Sequence, residues 1–218
     1  MASPLFSDST YTVSGLVEDI GKGLIALPDI QRPFVWSATK ARNLFDSMYR
    51  GFPVGTLLFW RTGAELGAKR IGGGSTQTTP NLLIVDGQQR LTTFVIFIQA
   101  LAESLRSIPA HAGLSSEQIY LTDSLSLADM EIAYLHETNK KGGFQTFKFG
   151  YTDDNPSQAY LRHKIFGEHG GGSVQESFYT LNLQNAKHYF AEQLAELLRQ
   201  KGIEGLADVY RTLAQRFL

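Results

Sequence analysis

The chain has 218 residues, of which 43% are hydrophobic and 19% are charged, so it can bury a core and is neither disordered nor collagen-like. It contains no cysteine, which excludes a disulfide framework, a thiolate nucleophile and a thiolate zinc site. The formal net charge of −1 argues against a histone-like electrostatic grip on nucleic acid. Any contact with DNA therefore needs a local site. The length favours one domain with an appendage.

The sequence has no membrane or export signal that we can identify. The first residues, Met1 to Val13, contain no basic region followed by an apolar one. The apolar run around Gln99 (FVIFIQALA) is too short to cross a bilayer. We therefore expect a soluble, cytoplasmic protein without a membrane partner.

The first half of the chain alternates helix and strand signals. Apolar spacing predicts a short helix over Ser14–Gly23, and Ser37 and Gly51 have the residue types of an N-cap and a C-terminal stop around a second helix. The remaining predicted elements are a strand over Leu24–Leu27, a strand in GTLLFW after Pro53, an exposed loop or hairpin over 63–80, a central strand over Asn81–Val85 and a long helix over Gln88–Arg106.

The second half is mainly helical from residue 157 onward. Helices are predicted over 157–166, 174–200 and 203–218, with Gly202 or Gly205 interrupting the last pair. We expect an α/β part at residues 1–110, an irregular or mixed connecting segment at 111–155 and a helical subdomain at 156–218. Apolar tail residues favour packing within that subdomain, with a homo-oligomer as the alternative; they are Leu194, Leu197, Leu198, Leu206, Val209, Leu213 and Phe217.

The most informative motif is Asp86-Gly87-Gln88-Gln89-Arg90, between the central strand and the long helix. A strand that turns directly into a helix leaves backbone N–H groups and the positive end of the helix dipole beside the turn, which favours anions. Gly87 would let a phosphate approach, Arg90 can bind its oxygens, and Gln88 and Gln89 add polar groups. Asp86 is placed to hold magnesium or an attacking water. The alternative is that Asp86 caps the helix and Arg90 is a surface charge.

A second motif, Gln31–Trp36 (QRPFVW), mixes polar and aromatic side chains. An amide and a guanidinium beside a proline and two aromatic rings are typical of a pocket wall with polar tips. The alternative is that Phe34 and Trp36 are core anchors and that Arg32 pairs with an acid such as Asp46 or Asp86. For the two aromatic residues, the core alternative is the favoured one.

The stretches Leu27–Trp36 and Ile84–Thr93, with Phe52–Gly55 between them, resemble the N-terminal domain of GmrSD-type modification-dependent restriction proteins. That family also includes the GTP-hydrolysing effector of the Ssp phosphorothioate defence system. The resemblance covers about residues 10–105, and the helical remainder is compatible with it. It implies a ParB/sulfiredoxin-like α/β fold followed by the mainly helical part. It also implies that the domain senses a chemical mark on DNA.

The resemblance further implies that the turn at Asp86 binds and hydrolyses a nucleoside triphosphate, with GTP favoured and Mg²⁺ as cofactor. The implied catalytic group is Asp86, also the metal ligand, with Gln88, Gln89 and Arg90. The implied nucleotide-binding group is Gly87, Thr92, Thr93 and Arg32. The group expected to sense modified DNA is Ile30, Gln31, Arg32, Pro33, Phe34 and Trp36. In the family an HNH-type nuclease domain cuts, and we find no such signature after residue 110, so we expect cleavage from a domain outside this chain.

The favoured mark is a phosphorothioate. In a phosphorothioate, sulfur replaces one phosphate oxygen, and sulfur is softer and less hydrated than oxygen. An apolar wall of Ile30, Pro33 and Phe34 beside Arg32 would therefore bind a phosphorothioate in preference to an ordinary phosphate. Glucosylated hydroxymethylcytosine is the alternative mark, but its sugar needs several polar donors, of which this segment has few. Two other functions stay open: a nucleotide- or DNA-binding module without hydrolysis, and, with least support, a phosphotransferase.

Overall fold

The computed structural model describes residues 12–21, 24–28, 32–52, 54–61, 68–70, 82–138, 145–147, 149–168 and 174–214. The helices are α1 (Val13–Gly21), α2 (Ala38–Arg50), α3 (Gln88–Arg106), α4 (Leu127–Tyr134), α5 (Gln158–Tyr160) and α6 (Phe178–Ala214). The strands are β1 (Ile25–Pro28), β2 (Leu58–Arg61), β3 (Ala68–Arg70), β4 (Leu82–Asp86), β5 (Tyr120–Thr122), β6 (Leu125–Ser126), β7 (His136–Thr138) and β8 (Gln145–Phe147).

The predicted ends of α2 and α3 are confirmed. The Ser37 side chain accepts a hydrogen bond from the Lys40 N–H, and Gly51 adopts φ 79° after the last turn of α2. These are the N-cap and the left-handed C-terminal stop that the residue types favour. α3 has the predicted bounds. The predicted loop over 63–80 lies mostly outside the described residues, which include only β3 there.

The main sheet has four strands in the order β2-β4-β1-β3. β4 is parallel to β1 and antiparallel to β2, and β3 is antiparallel to β1. Leu58 is opposite Asp86 and Phe59 is opposite Ile84, so Val85 has no opposite residue and forms a bulge at the end of β4. β4 is therefore the internal strand that the sequence predicts. Strands on both sides hold it, which fixes the position at which α3 begins.

Aromatic rings join α2, α3 and α6 in one core. The ring centroids of Phe45 and Phe97 are 5.5 Å apart, and that of Phe190 is 5.6 Å from each. α3 is the central helix, because every side chain from Leu91 to Ala102 is buried. The core therefore extends from the α/β part into the helical tail.

The C-terminal part departs from the prediction in detail. The helix expected over 157–166 is the short α5 followed by a π-helical turn at Leu161–Ile165. α6 is interrupted at Gly202, which has φ 65° and ψ −157°, a conformation reserved for glycine. Gly205, the other candidate, is buried inside the helix, where a Cβ would lie 3.1 Å from the Leu197 carbonyl oxygen.

The fold is thus mixed α/β, with helices packed on a small sheet and two further two-stranded sheets, β5-β6 and β7-β8. The tail residues favoured for internal packing include Leu194, Leu206, Val209 and Leu213, all of which are at most 2% exposed. The boundaries expected near 110 and 155 stay predictions. Within the described ranges, no helix is both long and apolar enough to cross a membrane.

Candidate functional site

An exposed carboxylate marks the point where β4 ends and α3 begins. Asp86 is the last residue of β4, and its side chain is 72% exposed. Gly87, with φ 115°, is the N-cap of α3, so no side chain caps this end of the helix. Asp86 is therefore not the helix cap of the alternative interpretation. Its carboxylate lies in solvent beside the positive end of the α3 dipole.

Main-chain carbonyl groups hold Arg90. Its Nη1 donates to the Val54 carbonyl at 3.1 Å, and its Nη2 donates to the Thr56 carbonyl at 2.5 Å. Nη2 also lies 3.2 Å from Oδ2 of Asp86. The side chain is only 15% exposed, so Arg90 is not a simple surface charge. It ties the residues before β2 to the first turn of α3, and a bound phosphate would share the guanidinium with these acceptors.

Residues 54–57, here called the covering segment, lie against the start of α3. A Cβ on Gly87 would be 2.0 Å from Leu57 Cδ2, and a Cβ on Gly55 would be 2.4 Å from Arg90 Nη1. Both glycines also have positive φ, 115° and 92°, which other residues rarely adopt. The space above Gly87 that the sequence assigns to a phosphate is thus filled by Leu57.

Gln89 joins the two sequence motifs. Its Oε1 accepts a hydrogen bond from the Val35 N–H at 2.8 Å, and its Nε2 donates to the Pro33 carbonyl at 3.0 Å. The residue is 8% exposed. Its neighbour Gln88 is half-buried and donates from Nε2 to the Ile84 carbonyl at 3.3 Å. The two motifs therefore meet through contacts of the Gln89 side chain with the main chain.

The two threonines assigned to the nucleotide are buried. Thr92 and Thr93 are 0% and 1% exposed, and their hydroxyls donate to the carbonyls of Gln88 and Gln89. Thr92 Oγ1 also lies 2.7 Å from the hydroxyl of Tyr151. Burial raises the pKa of Tyr151, so its hydroxyl stays protonated. These hydroxyls support the first turns of α3 from inside the protein.

The residues expected to sense a DNA mark are placed differently from one another. Ile30 and Gln31 lie outside the described residues. Arg32 is exposed and forms no ion pair in the part of the chain that the structure describes, so the alternative pairing with Asp46 or Asp86 is not found there. Pro33 is half-buried, and its carbonyl is the acceptor in the contact described above.

The prediction that Phe34 lines an apolar wall at the surface is wrong. It has no exposed surface and belongs to the core, so its side chain cannot line a surface pocket, and the core alternative holds for it. Its N–H donates to the Ser157 hydroxyl at 2.8 Å. Trp36 is half-buried, and it packs against the core while lining an open groove beside α2.

The sequence does not predict the contacts of several residues of this region. Val54, Thr56 and Leu57 form the covering segment, and only the intervening Gly55 signals a close approach. Tyr151 and Ser157 come from the second half of the chain and carry no local signal that connects them with the first half. Their partners are set by the tertiary fold.

The acidic side chains of this region could bind a metal ion only if a bound nucleotide supplied further ligands. Among the residues that the structure describes, no group of three or more His, Cys, Asp or Glu side chains could hold a metal ion. Magnesium is commonly bound by one or two carboxylates together with substrate phosphates. The single exposed carboxylate of Asp86 is compatible with that mode, in which the nucleotide supplies the other oxygen ligands.

Comparison with known proteins gives two findings. The family model of the GmrSD restriction endonuclease, N-terminal domain, matches residues 13–214. Uncharacterized protein MJ0686 of Methanocaldococcus jannaschii is 33% identical over 96 residues, which is 40% of this chain. The match covers only 17% of the length of that relative.

Proposed function

Because the chain belongs to the family of GmrSD restriction endonuclease N-terminal domains, we propose that it is the nucleotide-hydrolysing and DNA-sensing module of a restriction effector. GTP is the favoured nucleotide and phosphorothioate-linked DNA the favoured mark. The exposed Asp86 carboxylate beside the start of α3 carries the proposal. A ParB/sulfiredoxin-like relationship of the fold, and cleavage by an HNH-type domain outside this chain, belong to the same proposal.

In the proposed site, Asp86 would hold Mg²⁺ together with phosphate oxygens, and the ion would neutralise phosphate charge. Backbone N–H groups of the first turn of α3 bind the remaining phosphate oxygens. Gln88, half-buried two residues after the carboxylate, orients the attacking water. Arg90 has five N–H donors, and the contacts above leave part of them for phosphate.

Nucleotide binding in this site requires the covering segment to shift. Leu57 fills the space above Gly87, and two carbonyls of the same segment occupy Arg90. A phosphate that competes for the guanidinium weakens both contacts at once, because a cationic guanidinium binds an anionic phosphate more strongly than it binds neutral carbonyls. Entry of the nucleotide is therefore coupled to movement of residues 54–57.

The test is phosphate release from each of the four ribonucleoside triphosphates with magnesium. Each is assayed without DNA, with plain duplex, with phosphorothioate duplex and with glucosylated duplex. We expect turnover of GTP that changes with the phosphorothioate duplex and is abolished by Asp86→Asn. The matched control is Asp154→Asn, which removes an exposed carboxylate far along the chain. Unchanged turnover in Asp86→Asn, or equal loss in both variants, contradicts the assigned role.

A binding module without hydrolysis is the second candidate. It is favoured by one observation, that Gln89 and Arg90 are both engaged with main-chain groups. Calorimetric binding of a nucleotide, combined with no phosphate release in any of the conditions above, would support this candidate and reject hydrolysis.

A further inference from the structure

Cations without an acidic partner are unevenly distributed. In the described part of the chain, the lysines and arginines of the tail are mostly paired: Lys187 with Glu103, Arg199 with Glu196 and Arg211 with Glu204 and Asp208. The cations that form no ion pair among the described residues are Arg32, Lys40, Arg42, Arg50, Arg61, Lys164 and Lys201. Most of these lie within residues 32–61, although the chain as a whole is nearly neutral.

α2 presents a polar face that contains two of these cations. Lys40, Asn43, Ser47 and Arg50 recur at intervals of three or four residues, which places them on one side of the helix. The core residues of α2, which include Ala41, lie on the other side. At a rise of 1.5 Å per residue, Lys40 and Arg50 are separated by about 15 Å along the helix axis.

An open groove of about 270 Å³ runs beside this face. Trp36, Leu44 and Val54 supply its apolar lining, and Lys40, Asn43 and Ser47 supply its polar rim. Val54 belongs to the covering segment, and its carbonyl accepts from Arg90. The groove is therefore contiguous with the candidate nucleotide site.

We propose that this face of α2, formed by Lys40, Asn43, Ser47 and Arg50, contacts the sugar-phosphate backbone of duplex DNA. The inference rests on the proposed function only in taking DNA as the partner. Two cations about 15 Å apart match the two phosphate walls of a major groove about 12 Å wide. The amide and hydroxyl between them are the neutral groups that commonly bond to phosphate and sugar oxygens.

Charge complementarity favours DNA over other occupants. Asp46 is the one acidic residue of α2. It precedes Arg50 by four residues, at the edge of the face, and forms no ion pair with it among the described residues, while its charge acts on Tyr189 of α6. The face thus carries two cations and one acidic neighbour from α2 itself. A local face of this kind allows a chain with a net charge of −1 to bind a polyanion. Contact at Val54 would also transmit DNA binding to the covering segment.

The test is the salt dependence of binding to a fluorescently labelled duplex, plain or phosphorothioate-linked, measured by anisotropy. Each phosphate contact contributes about −0.9 to the slope of log K against log salt concentration. We expect Lys40→Gln and Arg50→Gln each to make the slope shallower by about 0.9, and the double variant by about 1.8. The matched control, Lys201→Gln, removes a cation of α6 that forms no ion pair with a described residue, and it is expected to leave the slope unchanged.

Four results would overturn the proposal: no binding of duplex by the wild-type chain, wild-type slopes in both α2 variants, an equal change in Lys201→Gln, or capture of an acidic protein without DNA binding. Circular dichroism of each variant separates misfolding from a lost contact. Phosphate release, measured on the same samples without DNA, reports separately on hydrolysis. If phosphate release is absent while the salt slopes change as expected, the proposed hydrolysis is rejected and the proposed DNA contact at α2 is supported.

Discussion

Replacing Gly87 with alanine tests how closely the covering segment packs against the start of α3. The new Cβ would lie 2.0 Å from Leu57 Cδ2, and the residue would have to keep φ 115°. A strained backbone conformation of this kind costs about 1–3 kcal/mol. Overpacking adds about 1–3 kcal/mol. We expect the free energy of unfolding to fall by about 2–6 kcal/mol, a large share of the roughly 5–15 kcal/mol of a typical domain.

Urea unfolding measures this loss, and two further variants separate its causes. Gly113 has φ 80° and no atom within 4 Å of its would-be Cβ, so Gly113→Ala reports backbone strain alone. Leu57→Ala removes the clashing atom, so the double variant Gly87→Ala/Leu57→Ala is expected to lose about 1–3 kcal/mol less than the sum of the single variants. The reasoning is refuted if Gly87→Ala costs no more than Gly113→Ala, or if the two single effects simply add.

Gln89→Glu is expected to lower the free energy of unfolding by about 1–3 kcal/mol, because a carboxylate oxygen then faces the Pro33 carbonyl; an unchanged urea midpoint would contradict this. Thr92→Val should cost about 1–3 kcal/mol by leaving the Tyr151 hydroxyl buried without this partner, and adding Tyr151→Phe should recover most of the loss. Burial is the main cause that lowers the pKa of His136 from 6.5, so its contribution to stability is complete above pH 6.5 and is lost as the pH falls through the folded pKa. Unfolding measured across that range should therefore show a shallower pH dependence in His136→Asn.

Local signals predict the elements that position the site. The ends of α2 follow from Ser37 and Gly51, because both residue types satisfy backbone groups at helix ends. α3 follows from an uninterrupted apolar periodicity after Gly87. The membership of the family also follows, since the two motifs that carry the resemblance are long and ordered.

The contacts within the site are not predictable in the same way. The sequence indicates that Arg90 can bind an anion, but its observed acceptors, the carbonyls of Val54 and Thr56, carry no side-chain signature. Phe34 and Trp36 have the same hydrophobic character in the sequence, yet one is in the core and the other lines a groove. Such differences depend on how distant elements pack, which short-range patterns do not encode.

The contacts made by Gln89 and Arg90 have a consequence for which positions can vary. Both side chains bond to backbone atoms of Pro33, Val35, Val54 and Thr56, not to their side chains. Substitution at those four positions preserves the bonds wherever the backbone path is kept, except that proline at 35 would remove a donor. The bonds that tie residues 33–35 and the covering segment to the start of α3 therefore depend on two side chains. The surrounding side chains are left free to diversify toward new ligands without dismantling the scaffold that holds them.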